Sequence, residues 1–364
     1  MPRNARNDRE TEHTMILQSF HNFFRRKETE LHELSYLFWE CTQRCNLNCR
    51  HCGSDCIASS RYPDMPFEDF MKAIEPLKTK YKRNSILVVI TGGEPLVRPD
   101  LADCGRELRK NGFPWGIVTN GYAYDEAMHH KLMAAGMSSI TVSLDGLRET
   151  HDAFRKRQGS FDRAMRAIDL IAAEKKLPAY DIVTCVSPMN IGELDEMKKL
   201  LIEHGVKAWR LFSIDPIGRA AQDKEILLNG QQMRQLMDFI VAARKEGKID
   251  TKFSCEAYTG SYERKVRDWF YFCRAGITVG SVLIDGGISA CPNIDRKFVQ
   301  GNIYQDDFLD VWENRFKEFR DRSWMKTGPC KDCKVFKNCL GGAMHLHKKD
   351  LDEIMICHYN LLNE

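Results

Sequence analysis

Cys45-Asn46-Leu47-Asn48-Cys49-Arg50-His51-Cys52 places three thiols within eight residues, directly after a predicted strand from Leu34 to Glu40. Three clustered thiolates can hold three irons of a cubane iron–sulfur cluster, a group that ordinarily takes four cysteines. The fourth iron is then left open, as catalytic metal sites keep a coordination position for substrate. Cys41 and Cys56 flank the stretch but fall outside its spacing and read as bystanders. A zinc site is the competing use of the same thiols.

Working outward, a strand-then-helix rhythm begins at residue 34. Predicted strands are Leu34–Glu40, Ser85–Ile90, Trp115–Asn120, Ser139–Leu144, Tyr180–Val186 and Val206–Ser213. They are near-continuously apolar in places, as parallel strands covered on both faces should be. Helical patterns fall between them at Phe67–Tyr81, Asp100–Asn111, Asp125–Ala135, Phe161–Lys175 and Gly192–His204. Repeated alternation of this kind means an α/β domain with right-handed crossovers. Periodicity does not separate an open sheet from a barrel.

Upstream, residues 1–14 read as disordered and Met15–Lys27 as a short helix. Its Ile16, Phe20, Phe23 and Phe24 are expected to dock on its own domain. After about residue 250 the rhythm gives way to Gly, Cys and short strand-like runs such as Gly280–Ile284. The expected division is an amino-terminal extension (1–33), a core (34–230) and a carboxy-terminal unit (231–364). A chain of 364 residues exceeds the size at which single cores usually stop growing.

The composition, 43% hydrophobic and 29% charged, suits a soluble globular protein. A net charge of +3 gives no support for nucleic acid or an anionic membrane as main partner. No apolar run approaches the roughly 20 residues that span a bilayer. No signal peptide is recognisable, so the fourteen cysteines belong in a reducing, cytoplasmic setting, where they are metal ligands rather than a disulfide framework. All but Cys104 and Cys185 fall near residue 50 or after residue 254, which implies metal chemistry at two places.

Thr91-Gly92-Gly93-Glu94-Pro95-Leu96 follows the second predicted strand. Glycines let backbone approach a ligand closely, and Pro95 keeps Glu94 extended. Thr119-Asn120-Gly121 and Ser143-Leu144-Asp145-Gly146 end the third and fourth strands, with His151, Asp152 and Arg155 after them. Pro216-Ile217-Gly218-Arg219-Ala220 follows the sixth. Together with the cysteine spacing, these stretches resemble the radical S-adenosylmethionine (SAM) superfamily over about residues 35–220. The resemblance implies a partial (β/α)6 TIM-like barrel and a [4Fe–4S] cluster on Cys45, Cys49 and Cys52. It implies SAM contacts from Gly92, Gly93, Glu94 and Pro95 to the methionine amino group. Asn120, Asp145 and Gly218 belong to the implied SAM site, and Ser143 and Arg155 to the part that holds its carboxylate or ribose.

In the second half, Cys273 is followed by Gly286 and Cys291, then by Cys330, Cys333, Cys339 and Cys357. This resembles the SPASM extension of peptide- and protein-modifying radical SAM enzymes, which carries one or two auxiliary iron–sulfur clusters in a small cysteine-rich α+β domain. By that resemblance Cys330, Cys333, Cys339 and Cys357 form a complete distal site. Cys255, Cys273 and Cys291 form a three-cysteine site, because Ala343 stands where the pattern has a cysteine. That site has an open iron, is completed by His345 or another group, or holds no cluster. A zinc ribbon shares the two-residue spacing of Cys330 and Cys333.

The resemblance implies reductive cleavage of SAM to a 5′-deoxyadenosyl radical that takes hydrogen from a ribosomal peptide or small protein, giving a cross-link or oxidative modification. A flavodoxin- or ferredoxin-type reductase would supply the electron. Haem-related or other cofactor biosynthesis is the alternative chemistry, and a non-catalytic zinc- or cluster-stabilised binding module the alternative of another class. Asp295 and Glu256, beside cluster cysteines, are the candidates for a general base.

Overall fold

The computed structural model describes residues 3–254, 257–348 and 354–364, with backbone course alone over 3–15. Six strands form in the predicted places: β1 (Tyr36–Thr42), β2 (Leu87–Gly92), β3 (Trp115–Thr119), β4 (Ser139–Ser143), β5 (Ala179–Val186) and β6 (Ala208–Ser213). Each pairs in parallel with the next. Their spatial order is their sequence order. A doubly wound sheet reverses direction at a switch point, and this one never does, so winding continues one way as in a barrel. The topology therefore decides what periodicity left open. The sheet has two ends, and the barrel is partial.

Four further strands extend it. β7 (Asp250–Phe253) adds to β6, and β8 (Val279–Val282) adds in parallel to the other edge, against β1. β9 (Gly287–Ser289) and β10 (Gly301–Asn302) follow β8 antiparallel. The second half of the chain thus continues the sheet that carries the cysteine stretch. Trp39, Trp115 and Trp209, on β1, β3 and β6, are fully buried under the covering helices.

Two helical expectations are corrected. The first concerns Phe67–Tyr81, which is broken into α2 (Phe67–Ile74) and α3 (Leu77–Lys80). Pro76 lacks the N–H that a continuous helix needs and disfavours helical geometry before it. The second concerns the amino terminus, where one helix, α1, runs Arg3–Leu31, with no Pro or Gly inside it to stop it at residue 15. Its phenylalanines do not dock: Phe20 and Phe24 are 55% and 60% exposed. The polar face docks instead. Arg25 donates to the carbonyls of Lys337 (2.7 Å) and Asn338 (2.8 Å), and Glu28 pairs with Arg274. Those two carbonyls close the short helix Phe336–Cys339, whose end leaves acceptors unsatisfied and favours a cation.

The connections from β2 to β7 carry helices α4 (Leu101–Lys110), α5 (Glu126–Ala134), α6 (Arg148–Arg155), α7 (Ser160–Ala173), α8 (Leu194–Glu203) and α9 (Gly230–Glu246), with α6 and α7 together between β4 and β5.

Candidate functional site

The cysteine stretch leaves the end of β1, where the ladder to β2 shifts register between Glu40 and Thr42. Gly92 and Gly93 close over it. Gly93 N–H donates to Thr42 O (2.8 Å) and Glu94 N–H to Arg44 O (3.0 Å). At Gly92 φ is +134°, and an added Cβ would lie 2.0 Å from Thr42 O; at Gly93 it would lie 2.3 Å from Arg44 O. The two glycines thus bring backbone against the chain's own residues 42–44, immediately before Cys45. Pro95 opens a single 3-10 turn behind them.

Glu94 is buried, and its carboxylate accepts from Thr119 Oγ1 (2.8 Å), Leu96 N (3.1 Å) and Asn120 N (2.8 Å). Burial pushes its pKa up, with these three donors opposing. A carboxylate has about four acceptor positions, so one remains for a ligand. Asn120 in turn donates from Nδ2 to Asn46 Oδ1 (2.8 Å) and stands 3.9 Å from Cys45 Sγ. The ends of β2 and β3 are thereby tied to the first cysteine.

The loop after β6 holds the stretch from the other side. Gly218 has φ +58°, and a Cβ there would lie 2.4 Å from Cys52 O and 2.3 Å from Gly53 O. Arg219 donates its backbone N–H to Cys52 O (3.0 Å), Nε to Cys49 O (2.7 Å), and Nη1 to Asp55 Oδ1 (2.8 Å) and Cys56 O (3.2 Å). No local pattern in the sequence marks this role of Arg219, because its partners are 163 to 170 positions away. Gly218→Ala is expected to destabilise the protein by about 2 kcal/mol, from overpacking and the left-handed backbone. It should also lower iron at the first site; unchanged iron content and melting temperature would contradict this packing.

Below the thiols lies a buried ion pair. Arg155, the last residue of α6, bonds Asp145 Oδ2 at 2.5 Å and reaches Cys49 Sγ at 3.6 Å. Asp145 Oδ1 accepts from Cys185 N (2.8 Å). Burial opposes ionisation of Asp145, but the Arg155 cation outweighs it and holds the carboxyl below its usual range. His51 stacks on Phe154 with centroids 4.4 Å apart, and burial lowers its pKa to about 4, so it is neutral. Ser143 is half-buried at the end of β4. Arg155 Nε and His51 Nδ1 are buried without hydrogen-bond partners. These are atoms that a polar ligand beside the thiols would satisfy.

The donor sets fit clusters better than zinc. Among the described residues, only His51, Asp145 and Cys185 bring three such ligand atoms within 4.8 Å of one another. The Arg155 cation on Asp145 makes that trio a poor host for a dication. A tetrahedral zinc with Zn–S of about 2.3 Å needs its sulfurs about 3.8 Å apart. Neither Cys45, Cys49 and Cys52 nor the distal cysteines are drawn together so closely. A cubane spaces its ligands more widely, because each sulfur takes a different iron.

Cys330, Cys333, Cys339 and Cys357 line one cavity. Burial raises Cys330 to about 11 and Cys339 to about 12. Cys273 is buried and Cys291 half-buried; Cys255 and Glu256 lie outside the described residues. Asp295 spends one carboxylate oxygen on Lys297 N (3.0 Å), capping the turn Arg296–Phe298.

Family comparison agrees with this geometry. The radical SAM superfamily model matches residues 39–201, and the SPASM iron-sulfur cluster-binding domain matches 273–334. Mycofactocin maturase MftC of Mycolicibacterium smegmatis is 32% identical over 85% of this chain and 77% of its own length. The chain belongs to the radical SAM superfamily. AdoMet-dependent heme synthase of Methanosarcina barkeri is 28% identical, covering 83% of this chain and 89% of that protein. The solved structure of anSMEcpe with bound AdoMet superposes with a TM-score of 0.70 at 22% identity, covering 90% of this chain and 94% of that one. For Streptococcus suis SuiB bound to S-adenosylmethionine the values are 0.66, 17%, 85% and 73%.

As a radical SAM enzyme with a SPASM domain, the protein takes a [4Fe–4S] cluster with SAM, and auxiliary iron–sulfur binding in its second half. The first group, when bound, supplies one-electron cleavage of SAM. Cys45, Cys49 and Cys52 would hold it, and Gly93 and Arg219 hold the loop that presents them. No helix among the described residues is long and apolar enough to cross a membrane.

Proposed function

We propose that this radical SAM enzyme modifies a peptide or small protein made on the ribosome, forming a cross-link or an oxidised product. The observation that carries the reading is the 32% identity to mycofactocin maturase over 85% of the chain. In this reading the 34–230 unit performs the SAM chemistry and 231–364 houses the auxiliary clusters. Glu94, Ser143 and Arg155 contact SAM, and a cytoplasmic flavodoxin- or ferredoxin-type donor supplies the electron. Of the two base candidates, Asp295 keeps one oxygen beyond its turn cap.

Coexpression with short peptides encoded beside the protein, followed by mass spectrometry, tests the proposal. A mass change confined to one peptide, and lost with Cys45→Ala, is expected. A second reading, haem-related cofactor synthesis, is favoured by the 28% identity to the Methanosarcina barkeri heme synthase. Conversion of an iron porphyrin, with every peptide unchanged, would replace the first reading by the second. Anaerobic reconstitution should load about eight or twelve irons per chain; about four would leave only the first cluster.

A further inference from the structure

Helix α1 turns its polar face inward and its apolar face outward. His21 Nε2 lies 3.3 Å from Tyr271 O, Asn22 Nδ2 donates to Asn338 Oδ1 (3.3 Å), and Arg25 donates to the carbonyls of Lys337 and Asn338. These contacts fix the roll of the helix, so burying its phenylalanines against the same chain would break them. Ile16, Phe20, Phe23, Phe24 and Leu31 lie on the opposite face, 47% to 62% exposed. Lys27 stands among them and pairs with Glu30 at 2.6 Å, and the rings of Phe23 and Phe24 meet edge to face with centroids 5.7 Å apart. Such a stripe ordinarily faces a core, and a contiguous exposed one marks an interaction surface. α1 also precedes residue 39, where the match to the radical SAM model begins, so the stripe stands outside the shared catalytic core.

The spacing of the stripe points to its occupant. Ile16, Phe20, Phe23, Phe24, Lys27 and Leu31 are spaced alike in either direction about a point between Phe23 and Phe24. Against an antiparallel copy, Ile16 therefore meets Leu31, Phe20 meets Lys27 and Phe23 meets Phe24, each contact occurring twice as a two-fold axis requires. Each Lys27 then reaches an aromatic ring of the other copy, whose face attracts a cation. A parallel pair would instead set Lys27 against Lys27. Half-exposed side chains of this size offer roughly 100 Å² each, so two copies bury roughly 1,000 Å² of apolar surface, the lower bound for a specific interface. A lipid surface fits less well: interfacial helices keep a cationic face for headgroups, and here that face is spent on the chain's own carbonyls. We propose that the protein forms a homodimer through α1, its two helices antiparallel about an axis between Phe23 and Phe24. Arg25, on the same helix, closes the turn that carries Cys339, so the dimer is anchored beside the distal cysteines of each copy.

Sedimentation equilibrium of the full-length, reconstituted protein tests this. A dimer in reversible exchange with monomer, with a midpoint in the micromolar range, is expected from so small an interface. Phe23→Glu combined with Phe24→Glu should raise the dissociation constant at least about a hundredfold. Helix content by circular dichroism should not change, because both side chains face solvent in the single chain. Charge reads the register. Phe20→Glu places a carboxylate opposite Lys27 and should leave a dimer that weakens with salt. Adding Lys27→Glu sets carboxylate against carboxylate and should give monomer. Equal loss of dimer in these two variants would overturn the antiparallel pairing. A wild type that stays monomeric up to about 100 μM would overturn the proposal outright, and this result stands even if a variant fails to fold. A dimer that survives the paired phenylalanine changes would overturn it too, by placing the interface elsewhere. Flotation of a monomeric wild type with phosphatidylcholine–phosphatidylglycerol vesicles, or its capture of a coexpressed peptide, abolished by the same changes, would give the stripe to a lipid or a peptide instead.

Discussion

Replacing Cys49 by Ala is expected to reduce 5′-deoxyadenosine formation from SAM to background while the fold stays near native stability. The first site has three thiols for three irons, so losing one removes the cluster rather than weakening it. The structural cost is small by comparison. Cys49 is buried, but deleting one methyl-sized group costs about 1 kcal/mol. Its neighbour Arg155 keeps the bond to Asp145, and Arg219 bonds the Cys49 carbonyl, which alanine retains. Anaerobic assay with dithionite measures the product, and urea unfolding of the apo protein measures stability. Undiminished 5′-deoxyadenosine from the variant would defeat the assignment of the first cluster.

Much of this site was legible because its parts are local. The cysteine spacing, the Gly92–Gly93 pair and the strand ends each occupy a few consecutive residues, and six strands formed where alternation placed them. What remained hidden depends on pairing across long separations. Gly92 and Gly93 were read as glycines facing a ligand; the structure presses them on residues 42–44, because β1 and β2 lie side by side. Helical spacing in α1 identified an apolar face but not which face meets the protein. The deciding partners, the carbonyls of Lys337 and Asn338, lie 312 and 313 positions away. The shortest of the hidden strands, β9 and β10, have three and two residues, too few for any periodicity to register.

Arg155→Met should cost stability as well as SAM binding. Removing one partner of a buried ion pair leaves the other charge uncompensated, typically at about 3–5 kcal/mol. Asp145 would still receive the Cys185 N–H, but no cation would be in contact with it. The pH dependence distinguishes this cause from simple loss of packing. In the wild type the Asp145 carboxyl titrates below its usual range despite burial. The stability it contributes is therefore present above the unfolded-state value and is lost as pH falls through the depressed folded value. In the variant, burial acts without Arg155, so the folded pKa rises above the unfolded one and protonation relieves the strain. The gap between the two proteins should be widest near neutral pH and narrow on acidification toward the carboxyl range. Asp145→Asn in the Arg155→Met background should recover part of the loss at neutral pH, because the uncompensated charge is gone. Urea titrations at several pH values test this directly. A gap that stays constant with pH, or a double variant no more stable than Arg155→Met alone, would mean that Arg155 acts by packing rather than by charge.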